Sequence, residues 1–339
     1  MTEQLEKIAQ AMVADNKGIL AADESSGTIQ KRFDSIGAEC TEENRRDYRE
    51  MLFRSTDAMT NYISGVILFD ETLRQDAKDG TPMAKVISDT GAIPGIKVDT
   101  GAKELALCPG EKITEGLDGL RERFAEYYDL GARFTKWRAV ITIGDGIPSR
   151  GCIQANAHAL ARYAALAQEA NIVPMVEPEV IMDGPHDMAR CFEVTEAALR
   201  ALYAELYEQN VVLEGTILKP NMIVPGTEYN KQVSTEEIAE QTVKCMKRAV
   251  PAAVPGLTFL SGGLSSEEVT EYLSAMNAMF DAPWKMSFSF GRGLQAAPLS
   301  AWGGKAENYA AAQAALEHRA RMNSLAVAGE WNTELEQAA

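Results

Sequence analysis

Short runs dense in Val, Ile, Leu and Phe recur along the chain. Each gives way to a longer stretch whose apolar residues return every three or four positions. Eight such runs stand out: "GILAAD" (18–23), "GVILFD" (65–70), "GIKVD" (95–99), "RFTKWRAVI" (133–141), "IVPMVEPEV" (172–180), "GTILKPN" (215–221), "LTFLSGG" (257–263) and "MSFSFGR" (286–292). Near-continuous apolar runs mark strands buried on both faces, and helical stretches between them mark parallel connections. "STEEIAEQTVKCMKRAV" opens on a capping-box pattern, Ser234 to Glu237, and "SSEEVTEYLSAM" on another, Ser265 to Glu268. The opening "TEQLEKIAQAMVADNKG" puts Leu5, Ile8, Ala9, Met12 and Val13 on one helical face. Eight strands of this kind predict an α/β fold, a (β/α)8 TIM barrel with N- and C-terminal helices. It occupies 1–339 as a single domain, with a short C-terminal tail over about 327–339. An open doubly wound sheet is the alternative, since periodicity does not establish closure.

The polar residues inside these runs add a second pattern. Asp23, Lys97, Lys136 with Arg138, Glu177 with Glu179, Lys219, Ser261 and Arg292 all lie toward the carboxyl ends of the expected strands. In a barrel those ends converge on one face, where active sites lie. Alternation along a strand sends Lys136 and Arg138 one way and Trp137 the other, and puts Glu177 and Glu179 on a common face. Any one of these charges could be a structural ion pair. Seven strand ends supplying such groups to one rim read as a site.

Composition narrows the partners. The formal net charge of −16 argues against nucleic acid and against an anionic membrane face, both of which need a basic field. An anionic small substrate fits only where basic residues gather in a cleft. Cys40, Cys108, Cys152, Cys191 and Cys245 are scattered, odd in number and free of C-x-x-C, as in a reducing compartment. Without an apolar leader or a run that could span a bilayer, the expected place is the cytoplasm.

Lys219 is the residue that a buried strand does not want. A free lysine is deprotonated at pH 7 only to about one part in a few thousand, so a nucleophilic amine needs desolvation or neighbouring cations worth about 4 kcal/mol. Ile217 and Leu218 are expected to dry its surroundings, and Lys97, Lys136 and Arg138 to add positive charge; Glu177 and Glu179 pull the other way. An amine beside carboxylates at a barrel mouth suits Schiff-base chemistry, in which an iminium accepts the electrons of a breaking carbon–carbon bond. Pro220 either fixes the backbone beside the amine or simply stops the strand. "SGG" (261–263) and "GRG" (291–293) follow the seventh and eighth runs, where barrels commonly seat a phosphate on backbone N–H groups, and Arg292 adds a guanidinium.

These residues resemble the class I, Schiff-base-forming fructose-1,6-bisphosphate aldolases. The resemblance runs from "GILAADES" through "NRR", "GVILFDETL", "GIKVD", "KWR", "VEPE", "LEGTILKPNM", "TFLSGG" and "FSFGR" to "AWGGK". It implies that Lys219 forms the Schiff base, that Glu177, Lys136 and Asp23 handle protons, and that Glu179 and Arg138 orient them. Asp23 is the implied base for the C4 hydroxyl and Glu177 the group serving carbinolamine dehydration. Ser261, Gly262, Gly263, Arg292 and Gly293 match the C1-phosphate site. Ser25, Thr28 and Lys97 match the C6-phosphate region, with Lys31 and Arg32 nearby. The likeness further implies phosphorylated sugar substrates, no metal or other cofactor, and a homotetramer. Two departures matter. Animal members end in a tail whose last residue, a tyrosine, assists proton exchange, whereas this chain ends "ELEQAA"; and Thr28 and Phe290 stand where those members carry serine and tyrosine.

Three rival readings remain on sequence grounds. A metal-dependent aldolase needs clustered histidines, but His158, His186 and His318 are far apart. An NAD(P)-dependent oxidoreductase would rest on "GRGLQA", a G-x-G-x-x-A match that lacks a following strand and its acidic partner. A non-catalytic binding scaffold would tolerate loss of the lysine or its carboxylates, and all are present.

Overall fold

The computed structural model describes residues 2–337. Eight parallel strands close into a barrel, which removes the open-sheet alternative. They are β1 (Gly18–Ala22), β2 (Ile63–Leu68), β3 (Ile93–Lys97), β6 (Phe134–Ile141), β7 (Val173–Val180), β8 (Ile217–Leu218), β9 (Gly256–Phe259) and β10 (Lys285–Phe290), with β10 pairing back onto β1. Each coincides with one of the eight apolar runs. The two remaining strands, β4 (Gly101–Glu104) and β5 (Lys112–Glu115), form an antiparallel hairpin between β3 and β6 that the apolar pattern does not announce.

Pairing is longest between β6 and β7, which stay in register from Phe134 opposite Val173 to Ile141 opposite Val180. It is briefest at β8. There Lys219 N–H still donates to Val176 O at 2.8 Å and Leu260 N–H to Pro220 O at 3.0 Å. Pro220 thus ends the strand while keeping its carbonyl in the ladder.

Alternation sorts the side chains into two apolar regions. Ile19, Ala21, Ile67, Phe134, Val173, Met175 and Ile217 fill the barrel interior. The helix Thr2–Met12 lays Leu5, Ala9 and Met12 against that same cluster, with Val13 just beyond its end, and so closes the amino-terminal mouth. Burying each of the larger of these side chains contributes about 1.5–3 kcal/mol. Facing outward, Trp137, Leu218, Phe288 and Phe290 join the layer beneath the helices. Trp137 stacks on Tyr163 at 5.5 Å between ring centroids. Leu218 therefore does not dry the approach to Lys219; Ile217, on the inner face, does.

Both expected caps form in part or whole. Ser265 and Glu268 make the reciprocal box, whereas Ser234 accepts from Glu237 N–H without the return bond. The stretch read as a tail begins inside the helix Tyr309–Ala328 and carries a further short helix, Thr333–Gln337. Residues 338–339 of that expected tail lie outside the described residues. No described helix is long and apolar enough to cross a membrane.

Candidate active site

At the carboxyl ends of the strands lies a cavity of about 840 Å³. Its wall includes Asp23, Ser25, Thr28, Arg32, Lys97, Lys136, Arg138, Glu177, Glu179, Lys219, Ser261, Gly262 and Arg292, all singled out from the sequence. Lys31 is exposed and lies outside this wall, as do Gly263 and Gly293. Gly263 has a backbone reason to be glycine: φ is +126°, and an added Cβ would sit 3.2 Å from Met182 Sδ and 3.4 Å from Arg292 Nη2. Gly262, at φ +59°, turns the chain just before it.

Three buried charges and the partly buried Asp23 form the centre. Glu177 Oε1 is 3.0 Å from Lys219 Nζ, and its Oε2 is 3.2 Å from Lys136 Nζ. Lys136 Nζ also reaches Asp23 Oδ2 at 2.6 Å. Lys219 and Lys136 are each only 4% exposed and Glu177 3%, so the pairs are screened little by water. The β6–β7 register explains the placement. It sets Lys136 opposite Met175 and Arg138 opposite Glu177, so one inner face carries both lysine and carboxylate.

Two ammonium groups and two carboxylates balance. Burial pushes the Asp23 carboxyl up, but Lys136, Lys219 and Lys97 outweigh it and hold it at about 2. Burial likewise pushes Glu177 up; Lys136, Lys219 and Arg138 pull it down against the charge of Asp23, and the net direction is down. Burial draws Lys136 downward, and Asp23, Glu177 and Asp99 more than reverse that, so its ammonium is firmly held. Around this centre Arg138 Nε pairs with Glu179 Oε2.

Several groups were not picked out from the sequence. Asp99, the last residue of "GIKVD", takes Lys97 Nζ at 2.8 Å on Oδ1 and Arg138 N–H at 3.3 Å on Oδ2. Its signal was available, an acid at a strand end. Glu24 lines the cavity and accepts from Arg32 Nη1 at 2.5 Å and Gln295 Nε2 at 2.7 Å, while the buried Arg49 bonds its backbone carbonyl at 2.9 Å. Ser289 also faces the cavity, with a buried hydroxyl that has no hydrogen-bond partner among the described residues. Alternation with Phe288 and Phe290 marks it as inward-facing.

The rival motifs do not assemble the sites they would need. His158 pairs with Glu205 Oε2 at 2.9 Å and His318 with Glu336 Oε1 at 3.3 Å, while His186 lies in the loop after β7. Among the described residues no three His, Cys, Asp or Glu side chains converge as metal donors. "GRGLQA" leads from β10 into the helix Arg292–Trp302, but β10 closes onto β1 and no further barrel strand follows it among the described residues.

Comparison with known proteins bears on the same features. A family model described as "Glycolytic: Fructose-bisphosphate aldolase class-I" matches residues 4–339. The chain is 60% identical over 330 residues to the "Probable fructose-bisphosphate aldolase class 1" of Xanthomonas campestris, covering 97% of this chain and 98% of that one. It is 53% identical over 314 residues to the pea "Fructose-bisphosphate aldolase, cytoplasmic isozyme 2", covering 92% and 87%. Among solved structures, the Plasmodium falciparum fructose-bisphosphate aldolase, crystallised with TRAP and a small-molecule inhibitor, superposes with a TM-score of 0.96. The identity is 47%, over 97% of this chain and 95% of that one.

Proposed function

The chain belongs to the class-I fructose-bisphosphate aldolase family, and on that premise we propose that Lys219 is the amine that captures the substrate. The family's reaction is this chain's: reversible, metal-independent aldol cleavage of fructose 1,6-bisphosphate to dihydroxyacetone phosphate and glyceraldehyde 3-phosphate through a lysine Schiff base.

The observation that carries the assignment is the contact between Lys219 and Glu177, 3.0 Å, with Lys136 joining Glu177 to Asp23. Lys219 Nζ, once relieved of its proton, adds to the ketone carbon. Glu177 lies within reach to receive that proton and to return one to the carbinolamine oxygen, which leaves as water. Asp23, ionised at neutral pH, takes the proton of the C4 hydroxyl. The C3–C4 bond then breaks, its electron pair moving into the iminium, and the aldehyde departs. Reprotonation of the enamine and addition of water release the ketone. Lys136, held as a cation, keeps both carboxylates charged between proton transfers. Glu179 orients Arg138, and Asp99 orients Lys97.

The two phosphates go to opposite sides of this centre. Ser261, Gly262, Gly263, Arg292 and Gly293 form the seat for the C1 phosphate; Ser25, Thr28 and Lys97 form the region for the C6 phosphate, with Arg32 and the exposed Lys31 nearby. Arg292 makes no ion pair among the described residues and so is available to an anion. The imine is the only electron sink required, so no organic cofactor is needed. A single 1–339 domain, assembled as a homotetramer in the cytoplasm and acting on phosphorylated sugars, completes the reading.

Borohydride reduction in the presence of dihydroxyacetone phosphate, followed by peptide mapping, tests it. The expected result is a stable adduct on Lys219 and turnover that survives EDTA. A label on another residue, or turnover lost to chelator, overturns the assignment.

A further inference from the structure

The short helix Thr333–Gln337 would be free to move if nothing held it, yet its Glu336 is gripped from three directions. Arg319 Nη1 bonds Glu336 Oε1, Trp331 Nε1–H donates to Oε2 at 2.8 Å, and His318 Nε2 lies 3.3 Å from Oε1. Arg319 sits inside the helix Tyr309–Ala328 and is only 4% exposed. Its second amino nitrogen, Nη2, donates to Ser266 O at 3.0 Å and to Thr270 Oγ1 at 2.7 Å.

Those two acceptors belong to the first turns of the helix Ser266–Met279. That helix begins immediately after the Ser261–Gly263 loop, and the junction is already tight: Leu264 N–H donates to Ser261 O at 2.9 Å, and Ser265 with Glu268 forms the box. One guanidinium therefore joins a carboxylate near the chain end to the helix that carries a cavity loop. A buried ion pair is a poor device for stability alone, because apolar residues of similar volume serve as well. Here Arg319 Nε is left buried without a partner among the described residues, a further cost. What the arrangement supplies is position. With the loop's Gly263 beside Arg292 Nη2, a small displacement of the helix start changes the space between the loop N–H groups and that guanidinium.

We infer that Glu336 and Arg319 form a positioning clamp that holds the Ser261–Gly263 loop at the spacing from Arg292 needed to receive a phosphate ester. The inference rests on the reading of that loop as a phosphate seat. The clamp acts on binding and leaves the Lys219 centre untouched.

Glu336→Gln removes the charge while keeping the shape and an acceptor for Trp331. KM for fructose 1,6-bisphosphate is expected to rise about three- to tenfold while kcat changes by less than about twofold, the signature of lost ground-state binding. Inhibition by inorganic phosphate should weaken by the same factor, and hydrogen exchange should quicken in peptides spanning 260–271. Asp15→Asn, which breaks the exposed Lys285–Asp15 pair, serves as a control for general loosening and should leave KM unchanged. An unchanged KM in Glu336→Gln, or a KM that moves equally in Asp15→Asn, overturns the clamp. Arg292→Ala, read by phosphate inhibition, tells the two levels apart. If it weakens inhibition and Glu336→Gln does not, the seat stands and the clamp falls; if neither weakens it, both fall.

Discussion

Two parts of one cavity are built on different plans. The Lys219 centre is made of side chains on β6 and β7 and one residue beyond β1 and β8, each within about 3 Å of an opposite charge and little exposed to water. The corner after β9 and β10 is made of backbone turns, two glycines at positive φ and an arginine without an ion pair among the described residues. On the proposed reading the first holds protons in a fixed order, which needs rigid, mutually determined charges. The second would accept and release an anion, which needs donors left unsatisfied until the ligand comes. The proposed chemistry lies on strands and their immediate ends and the proposed capture on loops, as the stiffness of each would dictate.

The sharpest way to break this contrast is at the amine. Lys219→Gln should lower kcat by roughly 10⁴-fold or more while phosphate inhibition is retained, since the reaction loses its nucleophile and the anion corner does not. Retained sugar-phosphate cleavage would end the distinction at once. Arg292→Ala should do the converse. Loss of one charge-assisted bond costs about 1.5–3 kcal/mol, so KM rises about 10- to 160-fold with borohydride trapping on Lys219 still detectable at high substrate. An unmoved KM would place the phosphate elsewhere.

A gentler test uses acid. Asp23 is held at about 2 in the folded chain against an ordinary value of 3.8, so its ionised form stabilises the fold. That contribution is complete above about pH 4 and disappears as pH falls through about 2. It amounts to about 2 kcal/mol, and Asp23→Asn should flatten that part of the stability profile in urea titrations. A variant whose acid limb matches the parent's would show that the ion pair with Lys136 is weaker than its geometry suggests.

The frame of this contrast was legible before any coordinates. Strands buried on both faces cannot hide their apolar density, and a lysine or a pair of glutamates inside such a run declares itself. The β4–β5 hairpin was illegible for the opposite reason: "GAKE" and "KITE" are short and largely solvent-facing, so little burial shapes their composition. Pairings between distant positions were also beyond reach. Nothing local to Arg49 points to Glu24, or to Glu336 from Arg319, because the partner is chosen by packing. Leu218 shows a smaller lapse. Its neighbour Lys219 faces the cavity, so strict alternation already sends Leu218 outward to the helices.

The helix Thr2–Met12 corks the amino-terminal end of the barrel, and the packed interior above it leaves the cavity at the carboxyl-end rim. On the proposed assignment the aldehyde fragment, bound to nothing covalently, exits past the rim while its sibling stays fastened to Lys219, and on the return journey the ketone boards first. Traffic in both directions would thereby be queued by that one bond, with no gate required to enforce it.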